Sequence, residues 1–200
     1  MNSNPLKIFL VRHGQTAWTV SGQYTGFTDI ELSVNGQAEA QNLRQLLSHY
    51  TFSYVFCSPL QRAVQTCAIA GLVEHACIRD EFSEWDNGRD EGRTPEQIQM
   101  LRPGWNFFRD GPDGGESIDA ISQRADRCLT QFRQLEGNVV VFSHAHFCRV
   151  LAARWIHLPV WYAQHFVLDT ASFGILSYEH EDISRESISF WNSAVLEKRN

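Results

Sequence analysis

The chain has 200 residues, a formal net charge of −6, and 43% hydrophobic and 12% aromatic residues. That much apolar surface supports a sizeable core and excludes a disordered chain, and the length fits one generous domain spanning residues 1–200. The negative balance, with no basic run to follow a phosphate backbone, argues against a nucleic-acid partner and requires any anion site to be local.

Five cysteines, Cys57, Cys67, Cys77, Cys128 and Cys148, include no Cys-x-x-Cys pair. An odd count without that spacing indicates neither a disulfide framework nor a zinc knuckle, so reduced thiols in a cytoplasmic protein are expected. The stretch from Met1 to Lys7 has no charged start leading into an apolar segment. No apolar run reaches membrane-spanning length, and no membrane partner is expected.

In chain order, Ile8-Phe9-Leu10-Val11 is an unbroken apolar run that suits a strand buried on both faces of a parallel sheet. It ends on Arg12-His13-Gly14. Ser33 is a plausible N-cap for a helix carrying Val34, Ala38, Leu43, Leu46 and Leu47 and closing near Tyr50. Tyr54-Val55-Phe56-Cys57 reads as a second strand running into Ser58-Pro59, after which Ala63, Cys67 and Ala70 give a helical apolar face. Residues 80–115 are dense in Gly, Pro, Asp, Arg and Trp and read as an irregular active-site excursion with one short helix after Thr94-Pro95. Ile118, Ile121, Ala125, Leu129 and Phe132 repeat at helical spacing until Gly137. Val139-Val140-Val141-Phe142 is the strongest strand and ends on Ser143-His144-Ala145-His146. A helix through Val150, Leu151 and Trp155 and a last strand over Phe173–Tyr178 complete the series.

Strands alternating with helices predict an α/β fold, a three-layer α/β/α sandwich with a mostly parallel central sheet. Ligands of such sheets bind beyond the carboxyl ends of the strands. Arg12-His13, Ser58 with Arg62, and His144 all follow strands, so they converge at one sheet edge. A phosphate monoester is a dianion, and hydrolysing it takes fixed donors and an aimed nucleophile. Arg12 and Arg62 match phosphate oxygens as permanently charged forks. A neutral imidazole, tethered through its other nitrogen, makes His13 the candidate nucleophile. Gly14 would let the backbone approach the phosphate, and His144 would donate to its oxygens. The leaving group needs a proton. Among Glu81, Glu84, Asp86, Asp90 and Glu91, Glu84 is preferred because a carboxyl beside Trp85 would be desolvated and its pKa raised. His144 with His146 could also hint at a metal, but no further ligands lie at suitable spacing.

Four separated blocks carry a family resemblance: Leu10-Val11-Arg12-His13-Gly14-Gln15-Thr16, Ser58-Pro59-Leu60-Gln61-Arg62-Ala63, Ser83-Glu84-Trp85-Asp86-Asn87-Gly88 with Glu91-Gly92, and Val141-Phe142-Ser143-His144. In this order they resemble the histidine phosphatase, or phosphoglycerate mutase-like, superfamily. The resemblance implies a phosphohistidine on His13, a phosphate pocket of Arg12, Arg62 and His144, Glu84 as acid and then base, and no metal or cofactor. Ala145 stands where the family usually has glycine, and its methyl would crowd the phosphate. Gln23-Tyr24-Thr25-Gly26, Ser83-Glu84-Trp85 and Trp105–Gly111 resemble the branch that holds the fungal sedoheptulose 1,7-bisphosphatase. On that basis Gln23, Thr25, Gly26 and Ala145 join Arg12 and Arg62 as substrate-binding candidates, with Arg89, Arg93 and Arg109 as further positive groups. The expected partner is a small phosphorylated metabolite such as a sugar phosphate or bisphosphate. The alternatives are mutase-type phosphoryl transfer and a phosphate-binding protein that has lost its chemistry.

Overall fold

The computed structural model describes residues 5–194. Six strands, β1 (Lys7–Arg12), β2 (Tyr54–Cys57), β3 (Ala76–Ile78), β4 (Asn138–Ser143), β5 (Phe173–Tyr178) and β6 (Glu186–Ser193), form one sheet in the order β3-β2-β4-β1-β5-β6. The pairs β1 with β4, β4 with β2 and β2 with β3 are parallel, and β5 runs antiparallel to both of its neighbours. Seven α-helices accompany them: α1 (Ala17–Ser21), α2 (Val34–Leu47), α3 (Gln61–Ile69), α4 (Pro95–Leu101), α5 (Phe107–Asp110), α6 (Ile118–Phe132) and α7 (Ala145–Trp155).

The unbroken apolar runs of the two central strands are split by the period-2 pleat between two cores. Ile8, Leu10, Val139 and Val141 face α6 and α7, meeting Ile121, Leu129, Leu151 and Trp155. Phe9, Val11, Val140 and Phe142 face α2 and α3, meeting Leu43, Leu47, Ala63 and Cys67. Each such large side chain contributes about 1.5–3 kcal/mol on burial, so the three layers hold β1 and β4 from both sides. The in-register pairing Arg12↔Ser143 brings the ends of these two strands level, and that fixes where the polar residues after them emerge.

Several boundaries differ from the sequence reading. The helix expected to close near Tyr50 stops at Leu47, and the one expected to run towards Gly137 stops at Phe132. Gly137 instead takes a positive φ of 79° in the turn before β4, a conformation open to glycine. Strands β3 and β6 carried no clear signal, since one has three mostly exposed residues and the other is a partly exposed edge rich in serine. The excursion holds two helices rather than one. Thr94 and Gln97 form a capping box ahead of α4, and the Asn106 side chain caps α5. Its aromatic residues Phe82, Trp85, Trp105, Phe107 and Phe108 are buried in the same core as α6 and α7. All five cysteines are free. Among the described residues no helix is long and apolar enough to cross a membrane.

Candidate active site

Backbone hydrogen bonds across the sheet gather the strand ends: His13 N–H donates to the Ser143 carbonyl at 3.1 Å, and Ser58 N–H to the Phe142 carbonyl at 2.9 Å. His13 is only 4% exposed. Its Nδ1 lies 2.8 Å from the carbonyl oxygen of Gly14. A carbonyl can only accept, so this network puts the proton on Nδ1 and leaves the Nε2 lone pair free. Burial, with Arg62 and Arg12 nearby, pushes the His13 pKa well below the ordinary value, so the ring is neutral.

His144 is fully buried, its ring centroid 5.2 Å from that of His13. Its Nε2 lies 2.7 Å from Ser58 Oγ, which also accepts from Leu60 N–H. The Ser58 contact engages Nε2 and leaves Nδ1 as the other ring nitrogen of His144. That atom is buried without a partner among the described residues.

Two guanidinium groups complete the floor. Arg62, fully buried on α3, donates from Nη1 to the Thr28 carbonyl at 3.0 Å and from Nη2 to the Gly26 carbonyl at 2.8 Å. Burial lowers its pKa to about 10 against the pull of Glu84, Glu91 and Asp29, so it remains a cation. Arg12 donates from Nη1 to the Leu168 carbonyl at 2.6 Å. The Nε atoms of both arginines are buried and unpartnered. Arg12 Nε and Arg62 Nε are thus two desolvated donors on arginines near the neutral His13 ring, and His144 Nδ1 is a third unpartnered nitrogen on the neighbouring ring. Leaving such groups unpaired is costly, and an oxyanion would satisfy them together.

Gly14 has a further task besides the one its position implied. A Cβ there would lie 2.4 Å from the Gly36 carbonyl oxygen, and one on Gly36 would lie 2.1 Å from the Gln15 carbonyl. The two glycines let the start of α2 dock against the turn after β1. Gly14 N–H donates to Thr66 Oγ1 on α3, tying the nucleophile's turn to a second helix.

Arg12 and His13 open onto a pocket of about 260 Å³ whose wall includes Glu84, Ala145, Gln23 and Thr25, whereas Arg62 and His144 are fully buried and do not line it. Gln23 donates to the Gly92 carbonyl at 2.7 Å, and Thr25 Oγ1 to the Gln23 carbonyl at 3.3 Å. Gly26 is buried and lies outside that wall. Its N–H and that of Thr28 donate to the Glu91 carboxylate, so Glu91 braces the loop whose carbonyls hold Arg62. Glu81 pairs with Arg79 at 3.2 Å. Arg89 pairs with Asp113, Arg109 with Asp110, and Arg93 faces Asp90, and none of these arginines lines the pocket.

Glu84 is 3% exposed, but its neighbourhood is not an apolar box against Trp85. The Trp85 indole turns to the Glu116 carbonyl at 2.7 Å. Glu84 Oε1 accepts from Trp85 N–H and Phe147 N–H, each at 2.9 Å, and Oε2 accepts from His146 N–H at 3.1 Å. The carboxyl group therefore caps α7, the helix that begins directly after His144. Arg124 fixes this segment by donating to the carbonyls of Glu81, Ser83 and Glu84 and to the Glu116 carboxylate. Trp18, Tyr24 and His146 also line the pocket and were not singled out as binding residues. Trp18 is signalled only by proximity to the first block, whereas Tyr24 lies in the Gln23–Gly26 string and His146 gives only a metal hint beside His144. Among the described residues no group of three or more His, Cys, Asp or Glu side chains is placed to hold a metal.

The family model for the histidine phosphatase superfamily (branch 1) matches residues 8–192, and the chain belongs to that superfamily. It is 36% identical to an acid phosphatase of Mycobacterium tuberculosis, over 87% of each chain. It is 31% identical to the sedoheptulose 1,7-bisphosphatase of Saccharomyces cerevisiae, over 91% of each. Among solved structures, the product of a Mycobacterium tuberculosis open reading frame superposes with a TM-score of 0.89 at 32% identity, covering 97% of this chain and 99% of that one. A mycobacterial glucosyl-3-phosphoglycerate phosphatase in complex with VO3 gives 0.83 at 26% identity, covering 94% and 98%.

Proposed function

We propose that the protein is a phosphomonoesterase for small sugar phosphates that works through a phosphohistidine on His13. The observation that carries this reading is the tautomer that the Gly14 carbonyl sets on His13, with unpartnered buried nitrogens on the nearby Arg12, Arg62 and His144. Nε2 attacks phosphorus and the P–O bond to the sugar breaks. Arg12, Arg62 and His144 neutralise the charge on the phosphoryl oxygens, and Glu84 gives a proton to the leaving alkoxide. Glu84 then takes a proton from a water that attacks phosphorus, the N–P bond breaks and phosphate departs. No step calls on a metal or a cofactor. Gln23 and Thr25 on the pocket wall offer amide and hydroxyl groups to a sugar. The relatives named above are phosphatases, which favours water over a second substrate hydroxyl as the acceptor.

The test is turnover of a sugar phosphate panel and an aryl phosphate with chelator present, together with trapping of a labelled enzyme. Phosphate release and an acid-labile label lost in the His13→Ala variant are expected. Phosphoryl shift within phosphoglycerate without release would establish mutase chemistry instead. A ligand-induced rise in Tm without turnover would mark a binding protein.

A further inference from the structure

His146 takes no part in that scheme, yet its ring is held among three aromatic neighbours. It stacks on Phe107 at 4.3 Å and 25° and on Tyr24 at 5.6 Å and 29°, and meets Phe108 edge-on at 5.5 Å. It lines the pocket beside Glu84. Backbone and ring of this residue converge on one carboxylate oxygen: N–H lies 3.1 Å from Glu84 Oε2, and Nδ1 lies 3.7 Å from the same atom. Oε1 already accepts two N–H groups, which occupies both its lone pairs, whereas Oε2 accepts one. The proton that Glu84 handles therefore belongs on Oε2, next to the His146 ring.

We propose that His146 is a positioning residue for Glu84, its Nδ1–H closing on Oε2 as the proton leaves for the substrate. The inference rests on the reading of Glu84 as proton donor. With Glu84 protonated, the hydrogen occupies the last lone pair of Oε2 and the ring stands off at its present distance. When that hydrogen passes to the leaving oxygen, the emptied lone pair accepts Nδ1–H after an approach of less than an ångström. When Glu84 recovers a hydrogen from water, the ring withdraws. No atom passes through His146. Hydrogen bonds of this kind are often long before substrate binds and tighten in the reacting complex. Burial, with Arg149 and Arg12 close by, keeps the ring uncharged, so it stabilises the new carboxylate without adding a full charge to the site.

A donor that acts through the general acid matters only where the leaving group needs a proton. The experiment compares kcat/KM, which reports phosphoryl transfer to His13 and not the later hydrolysis common to both esters, for 4-nitrophenyl phosphate, whose leaving group departs as a stable anion, and for glycerol phosphate, whose alkoxide does not. His146→Phe keeps a flat stacking ring and removes Nδ1. It is expected to lower kcat/KM on glycerol phosphate about tenfold, the worth of a hydrogen bond to a charged group, and to lower that on the nitrophenyl ester far less. His146→Asn, whose amide reaches the place of Nδ1, should recover most of the loss, and His146→Gln should not. If His146→Phe is too unstable to assay, the Asn and Gln variants supply the same contrast. Equal loss on both esters, or none on either, overturns the proposal. Glu84→Gln is the control. If it too lacks the leaving-group bias, the reading of Glu84 falls and takes the proposal with it. If it shows the bias and His146→Phe does not, the role of His146 alone is refuted.

Discussion

The floor of the pocket and its wall are built on different principles. The floor, Arg12 and His13 with Arg62 and His144 buried beside them, hangs from strand ends and a helix that the sheet holds in register, and Arg12, His13 and Arg62 are each tied to main-chain carbonyls. The wall, Glu84, Tyr24 and His146 with Gln23 and Thr25, is set by aromatic packing in the excursion and by two charged braces, Arg124 and Glu91. Rigid, desolvated donors suit the one group common to all phosphate esters. A wall assembled from side-chain packing can change to suit a leaving group without disturbing the floor. The two relatives named for different phosphorylated compounds, sedoheptulose bisphosphate and glucosyl-3-phosphoglycerate, are consistent with that division.

Breaking the floor has the largest expected effect. His13→Ala should lower kcat on the order of 10⁴-fold or more, as loss of a nucleophile does, while the variant still binds phosphate; single-turnover assays and phosphate titration would check both. Damage to the wall is expected to be milder. Glu84→Gln should cost about 10²–10⁴-fold on alkyl phosphates, read from steady-state kcat.

Titration tests whether the buried histidines behave as neutral groups. The pKa values of His13, His144 and His146 are all held well below the ordinary value, by burial first and then by neighbouring arginines. The unfolded chain takes up these protons near pH ~6.5 and the folded chain only at lower pH, so the unfolded state binds more protons in that window. Stability is therefore greatest above ~6.5 and falls as pH drops below it. Urea midpoints measured from pH 7.5 downwards should decline, and bound phosphate should oppose the decline.

Between floor and helix layer, Gly36→Ala forces a methyl against the Gln15 carbonyl and should cost about 1–3 kcal/mol, measured by denaturation. Ala145→Gly is the gentlest change. It removes a methyl from the pocket lining at the first turn of α7, so phosphate should bind somewhat more tightly, at a stability cost of about 1 kcal/mol or less.

Much of the floor was legible because its signals are local. An apolar run followed by Arg12-His13, another followed by Ser58, and a third followed by His144 each announce a strand and what stands at its end. Parallel pairing then has to bring those ends together. The role of Gly14 was not legible, since its constraint comes from Gly36, which is distant in sequence. Nor was the setting of Glu84. Adjacency to Trp85 implied an apolar surround, but successive side chains need not share a neighbourhood, and the carboxyl turned to the start of α7.

By itself, the sequence determined the α/β class, the superfamily and the candidate groups on the floor, because hydrophobic period and residue type are properties of short segments. Only the tertiary structure decided which nitrogen of His13 is free, which donors are unspent, that Gly26 and Glu91 brace Arg62, and that His146 faces Glu84. The His13 tautomer depends on how the turn aims the adjacent Gly14 carbonyl, and the others on partners tens of residues away, which are fixed only when the layers close on one another.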